Sequence, residues 1–379
     1  HAQIDKAFFD DADLTDVDIR QTYVRKTSLK NANLSRANAD SINNYLSDFE
    51  GAIFIDANLK NSTFSDWDMK NVNFSGSKLD GVTFLNMSME NIDFSNQNLK
   101  KAAFNNVEFI NISFKNTNLE NSIFEDMDLS NVDFSYSNLD GSVFKNTKLI
   151  NTNFSNSSLI HSELSNNDLN SSDFSNSILN NCSFKESNLG DCIFVNANLS
   201  DASLDNSDLT GTNFESANLQ SAFLIGSRLF YTNFKKANLK NASIQIVVSE
   251  NANFNDASFR ETSFEESILF DVSFHNCELI DTNFDNSFLI KAEFNYAKIS
   301  NSNFKNAKLN DSIFSYAEIV SSKFNDADLS GAQLNDISIV DSEFIRTDFT
   351  GANLEKSKLK GSNLIKRVFI QQTYQLHIL

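Results

Sequence analysis

Three cysteines and four histidines are the residues of this 379-residue chain best suited to nucleophilic or metal chemistry, and their spacing serves neither. His1, His161, His275 and His377 are spread along the chain, so they set up neither a zinc cluster nor a base for a cysteine. Motifs for a phosphate-binding loop, a nucleophile elbow or a metalloprotease helix are missing from the sequence. An enzyme is not expected, and no cofactor or metal is implied. Carboxylates are the other chemistry on offer: 50 Asp and Glu against 31 Lys and Arg give a net charge of −19. That balance disfavours direct binding to nucleic acid or to an anionic membrane, both of which would repel it. There is no run of 18 apolar residues, so no spanning helix is expected. The first residue is His1 rather than Met, so the natural N-terminus is expected to be trimmed and a leader cannot be read.

The elements that carry these side chains repeat every five residues. Of the 76 positions taken in steps of five from Ile4 to Leu379, 72 are Phe, Leu, Ile, Met or Val, and only Ala39, Asn44, Ser249 and Tyr374 depart. The residue two places before each such centre is usually Ala, Ser, Thr, Val or Cys, and the residues between are polar. The phase never shifts, so no inserted loop and no second domain are expected. A period of five matches neither a helix nor a long strand, but it suits a chain that turns a corner every five residues. Phe and Leu centres alternate over much of the chain, and unusual residues recur at 20, as in the columns Trp67, Met87, Val107, Met127 and Val72, Ile92, Ile112, Val132. Four sides per coil follow, with Phe columns on two opposite faces and Leu columns on the other two.

The chain contains no proline. Coils stacked rung on rung bond through their backbone N–H groups, and proline would remove a donor and disturb a corner. The 76 sides make about 19 coils, a rod of roughly 90 Å at about 4.8 Å per coil. Cys182, Cys192 and Cys277 all occupy the small inward position and are expected to be buried packing thiols. Their low, odd number agrees with a reducing compartment. Asn-X-Ser/Thr triplets such as Asn61-Ser62-Thr63 arise by chance in so Asn- and Ser-rich a repeat.

The run Ala-Asn-Leu-X-X at Ala32, Ala57, Ala197, Ala217, Ala237 and Ala352 resembles the pentapeptide-repeat family, and the resemblance covers essentially the whole chain. It implies an all-β fold, a right-handed quadrilateral parallel β-helix, with the centre and the small residue pointing inward. Irregular N-terminal coils and cap (1–50), a regular β-helix (51–363) and a C-terminal cap or dimerisation segment (364–379) are expected within one solenoid. Poor centres at Ala39 and Asn44 suggest a bulge around 37–47. Residues 351–379 carry a net charge of +4, with apolar residues alternating through Val368, Ile370, Tyr374, Leu376 and Ile378. In gyrase-directed relatives that end forms the dimer interface; here a cap, a dimer contact or the stub of a longer protein all remain open.

Two surface features stand out. When charges are assigned to sides by position modulo 20, two adjacent sides, those of Phe9 and Leu14, carry −15 of the −19. The first bears an acidic column at Asp48, Asp68, Glu108, Asp128, Asp168 and Asp208, and the second adds Asp93, Asp133 and Asp173. Asp in this place also serves the turn and solubility. The resemblance implies another use, because relatives that protect or restrain gyrase are understood as DNA mimics. About one charge per 6 Å is nevertheless dilute beside one per about 1.7 Å of duplex axis. The second feature lies on the Phe9 side, where Phe230, Tyr231, Val248, Ile268, Phe270, Phe288 and Ile290 point outward around the anomalous centre Ser249. A local slip that turns Val248 inward would leave Phe270, Phe288 and Ile290 unexplained, so a protein-binding or self-association patch is expected.

The functional expectation is a non-catalytic, cytoplasmic bacterial binding protein whose partner is a protein, with mimicry of DNA toward a type II topoisomerase as its most concrete form. A docking module of a larger secreted effector or surface protein, a homodimer formed through the patch or the C-terminal segment, and a structural rod stay open beside it.

Overall fold

The computed structural model describes residues 2–365 and the backbone of His377–Ile378. Tertiary contacts divide the chain into two units, His1–Ser183 and Phe184–Leu379. Both follow one rule up to Lys358–Lys360: strands are short, and residues pair in parallel with those 20 positions on, as Phe84 does with Phe104 and Leu279 with Ile299, whereas the final pairing of Lys358 with His377 spans 19. With a centre every five residues, each turn has four sides. The fold is an all-β parallel solenoid, and the described residues make about 18 turns. In unit 1 the strands from Gln3–Asp5 to Val143–Lys145 pair in sequence order, with Met69–Lys70 beside Thr83–Glu90. In unit 2 Val248–Glu250 pairs with Ile268–Phe270, and seven strands from Ser258–Arg260 to His377–Ile378 form a second sheet.

One pentapeptide shows why proline has no place. The Phe134 N–H donates to Asn153 O (2.8 Å), the Tyr136 N–H to Ser155 O (3.1 Å) and the Asn138 N–H to Thr117 O (3.0 Å), which ties the rung to both neighbours. The Ser137 N–H closes the corner on Phe134 O (3.2 Å). The remaining donor, the Ser135 N–H, is held by Asp133 Oδ1 (2.9 Å). Every position of this repeat uses its N–H, so proline would cost a bond wherever it fell.

Tyr136, two places after its centre, has φ +62°, and this position is left-handed throughout, from +49° to +64° at non-glycine residues. Asn, Asp and Gly tolerate that conformation best, which accounts for the Asn-rich composition. Nine of the ten glycines occupy the position. The asparagines there also stack into ladders, with Asn111 Nδ2 donating to Asn91 Oδ1 (2.9 Å) and Asn91 Nδ2 to Asn71 Oδ1 (3.1 Å).

Small residues line the inner corners for a similar reason. At one corner of unit 2 the N–H groups of Ser302, Ser322 and Ser342 donate to the hydroxyls of Ser322, Ser342 and Ser362 at 3.1, 3.1 and 3.2 Å. A hydroxyl fits the narrow corner and replaces the turn bond made elsewhere.

Between these corners the centres form the core. In unit 1 Phe64, Phe84, Phe104, Phe124 and Phe144 stack on one face, with Phe54, Phe74, Phe94, Phe114, Phe134 and Phe154 opposite. The columns meet edge to face across the interior, as Phe134 and Phe144 do at 6.2 Å. Unit 2 repeats the plan from Phe194 to Phe314 and from Phe264 to Phe344. Stacked and T-shaped pairs are the favoured arrangements of aromatic rings.

One expectation needs correcting. Residues 37–47 do not bulge: Asn38 pairs with Asn58, Asn43–Tyr45 pairs with both neighbouring strands, and Ala39 and Asn44 are buried. The small and polar centres are accommodated within the register. The disturbance lies at Trp67 instead. Met87, Val107 and Met127 fit the inward niche, but Trp67 is 43% exposed, because the indole is too large for a corner built for Ala or Ser.

Candidate protein-binding surfaces

The apolar side chains of unit 2 arise from its strand register. Val248 pairs with Ile268, Ile268 with Phe288, and Arg228 and Lys308 continue the column at its two ends. Two residues further along the chain, Phe270 pairs with Glu250 and shares its face with Phe230 and Ile290. Val248, Phe270, Phe288 and Tyr231 are exposed, while Ile268, Phe230 and Ile290 are half-buried. The register does not slip at the anomalous centre. Val247 fills the inward niche, and Ser249 is fully buried with its Oγ donating to Leu229 O (3.0 Å), so Val248 faces outward.

The acidic column has local work to do. Asp48, Asp93, Asp128, Asp133, Asp168, Asp173 and Asp208 each accept the backbone N–H two residues on, as Asp93 does from Ser95 (2.8 Å) and Asp173 from Ser175 (2.8 Å). Asn33 and Asn73 make the same bond elsewhere, as do Glu163 and the Ser113 hydroxyl, so the aspartate is one of several residue types that fill this place in the turn. Asp68 takes the Ser88 N–H (2.7 Å). Cations a rung away neutralise part of the column, with Lys30 at 3.2 Å from Asp48, Lys148 at 3.6 Å from Asp128 and Arg228 at 3.7 Å from Asp208. Partial burial works to raise the Asp128 carboxyl, but the Ser130 hydrogen bonds and the Lys148 ammonium outweigh it and hold the group below its ordinary value. Eight of the nine acidic positions lie in unit 1, and Asp208 lies in unit 2.

Cys182, Cys192 and Cys277 are buried thiols that form no disulfide. Burial pushes the Cys277 thiol up to about 12 and raises Cys182 well above the usual range. The Cys277 Sγ donates to Phe254 O (2.9 Å), while His275, two residues away in the chain, sets its ring edge-on to Tyr296 at 5.4 Å. Among the described residues no group of His, Cys, Asp and Glu is placed to hold a metal ion, and no helix is long and apolar enough to cross a membrane. The expectations for Lys366, Arg367, Val368, Ile370, Tyr374 and Leu376 in the C-terminal segment lie outside the described residues. The backbone of His377–Ile378 pairs with Lys358 and Leu359.

Sequence reasoning missed two features. One is the left-handed position, signalled by the phase shared by nine glycines. The other is the outward indole of Trp67, whose size at a small-residue position is the available sign.

Family models that describe a pentapeptide repeat region match residues 45–114, 98–174 and 267–344, and models for pentapeptide repeats in eight copies match 12–43, 177–215 and 207–245. The chain belongs to the pentapeptide repeat family. Solved structures similar to this pentapeptide repeat protein include HetL, involved in heterocyst differentiation regulation in the cyanobacterium Nostoc, at 20% identity over 67% of this chain and 88% of that one, with TM-score 0.22. A pentapeptide repeat protein of the Arabidopsis thaliana thylakoid lumen is 30% identical over 25% of this chain and 67% of its own, with TM-score 0.25. QnrB1, a plasmid-mediated fluoroquinolone resistance protein, is 17% identical over 42% and 91%, with TM-score 0.19. No curated protein matches the chain.

Proposed function

We propose that this pentapeptide repeat protein is a non-catalytic scaffold that binds another protein through the apolar face of unit 2. The observation that carries this reading is the ladder Val248, Ile268, Phe288, which turns apolar side chains outward on three consecutive rungs, with Val248 and Phe288 exposed and Ile268 half-buried between them. Contiguous apolar surface of this kind marks interaction sites, and aromatic residues dominate their energetics. Arg228 and Lys308 at the ends of the ladder favour a partner whose contact region is apolar and edged with carboxylates. Capture from the native host with wild-type protein and with a Phe270→Asp/Phe288→Asp variant tests it: the partner is retained by the first and lost by the second. Light scattering separates this use from self-association, in which the wild type would be larger than the variant.

A second reading keeps the acidic column as a DNA mimic acting on a type II topoisomerase in a bacterial cytoplasm, and the grouping of eight carboxylates on adjacent sides of unit 1 favours it. The turn bonds and ion pairs of those carboxylates weigh against a bare DNA-like field. A supercoiling assay with gyrase, with and without quinolone, decides the point: no effect at micromolar protein removes this reading.

A further inference from the structure

Trp67 stands in the sequence Asp66-Trp67-Asp68 and is the only tryptophan of the chain. The rung breaks around it, with Thr63–Ser65 and Met69–Lys70 forming separate strands, while the eight-residue strands Thr83–Glu90 and Ala103–Ile110 run beside each other through seven paired residues. The displaced indole helps line a surface groove of about 490 Å³ in unit 1. Five carboxylates and two ammonium groups share the lining. Both ammonium groups are engaged: Lys30 lies 3.2 Å from Asp48 and 3.2 Å from Glu50, and Lys70 lies 2.9 Å from Glu90. Asp66 Oδ1 accepts from Asn86 (3.2 Å) and Asp68 Oδ1 from the Ser88 N–H (2.7 Å), which leaves each Oδ2 without a protein partner among the described residues.

We propose that this groove binds an arginine side chain presented by a basic segment of a partner protein. The carboxylates are not gathered tightly enough to hold a metal ion, and a compact cation would make no use of the indole. A guanidinium suits both parts of the site, since it stacks on an aromatic face while its edge donates two hydrogen bonds to a carboxylate. An indole in a concave surface is also the residue type most enriched among binding hot spots. The proposal is independent of the apolar face of unit 2 and stands or falls separately from it.

Because Trp67 is the only tryptophan, its fluorescence reports on this groove alone. The full chain is titrated with a short, capped Gly-Arg-Gly-Arg-Gly peptide and with its citrulline counterpart, which has the same shape without the charge. A saturable change in Trp67 emission with the arginine peptide, little change with citrulline, and about tenfold weaker binding to an Asp66→Asn/Asp68→Asn variant are expected. Circular dichroism checks that the variant keeps its fold, and calorimetry with a Trp67→Phe variant, expected to lose affinity by a similar factor, gives a second readout. A Phe270→Asp/Phe288→Asp variant is expected to titrate like the wild type. No saturable change with the arginine peptide, an equal response to citrulline, or full affinity in the Asp66→Asn/Asp68→Asn variant would overturn the proposal.

Discussion

Val248 and Ile268 are register partners on adjacent rungs of unit 2, and both turn their side chains out of the coil. The buried Ser249 beside Val248 is the anomaly in the repeat, yet its hydroxyl bonds to Leu229 O and the register holds. An apolar strip is therefore displayed without any repair of the fold beneath it. Because these side chains support nothing inside the coil, charge variants there are expected to shift stability by about 0.5 kcal/mol or less. Denaturant unfolding of Phe288→Asp checks this, and a much larger loss would mean that the strip is structural.

The left-handed position gives a sharper stability contrast. Asn91 has φ +55° and stands within the ladder from Asn71 to Asn111. Replacing it with Val puts a β-branched side chain where Asn, Asp and Gly are most comfortable, at a cost of about 1–2 kcal/mol. Asn91→Gly keeps the backbone and loses only the side-chain bonds, so it should cost less than Asn91→Val. Thermal unfolding of the two variants measures the order, and the reverse order would contradict the backbone assignment.

Within the core, Phe104 is fully buried and stacks on Phe84 at 5.3 Å and on Phe124 at 5.2 Å. Rungs cannot close vertically around a missing ring without breaking their backbone bonds, so Phe104→Ala is expected to cost about 3–5 kcal/mol in denaturant unfolding. A loss below about 1 kcal/mol would show that the column relaxes freely.

The acidic column separates turn chemistry from charge. Asp133 Oδ1 holds the Ser135 N–H at 2.9 Å, and an asparagine offers the same acceptor. Asp133→Asn should therefore be nearly neutral, while Asp133→Ala should cost about 1 kcal/mol by leaving the N–H unheld. Equal effects of the two substitutions would show that charge, not the turn, matters at this position.

Much of this architecture is legible in the sequence because the constraint is local and repeated: a large centre, a small residue two places before it, and an unbroken phase. The opposed Phe columns follow from alternation alone, as Phe134 and Phe144 show. The fate of Trp67 does not, since the pattern gives its position but not whether an oversized ring forces its way inward or swings out. The role of Asp93 is also hidden, because a carboxylate that holds a turn and one that projects a field look alike in sequence. Asn44 misleads in the opposite way: a polar centre suggests a bulge, yet the rung bonds on either side keep it in place.

Buried thiols add to the loss of stability at alkaline pH. Cys277 has its thiol raised from 9.0 to about 12 by burial. Below pH about 9 both folded and unfolded thiols hold their protons; between about 9 and 12 only the unfolded one ionises, and stability falls. Unfolding against pH should show a shallower alkaline decline in Cys277→Ala than in the wild type. The three cysteines should resist a thiol reagent at pH 8 in the native protein and react when it is unfolded. Rapid native reaction would contradict their burial.

The central claim is that the apolar face of unit 2 binds a protein. Its most direct measurement is the affinity of the partner, once captured from the host and purified, for wild-type protein and for the Phe270→Asp/Phe288→Asp variant, by titration calorimetry. The account expects at least about a hundredfold weaker binding for the variant, as befits two hot-spot aromatics replaced by charges, with its unfolding curve unchanged. Equal affinity for the two proteins would contradict it.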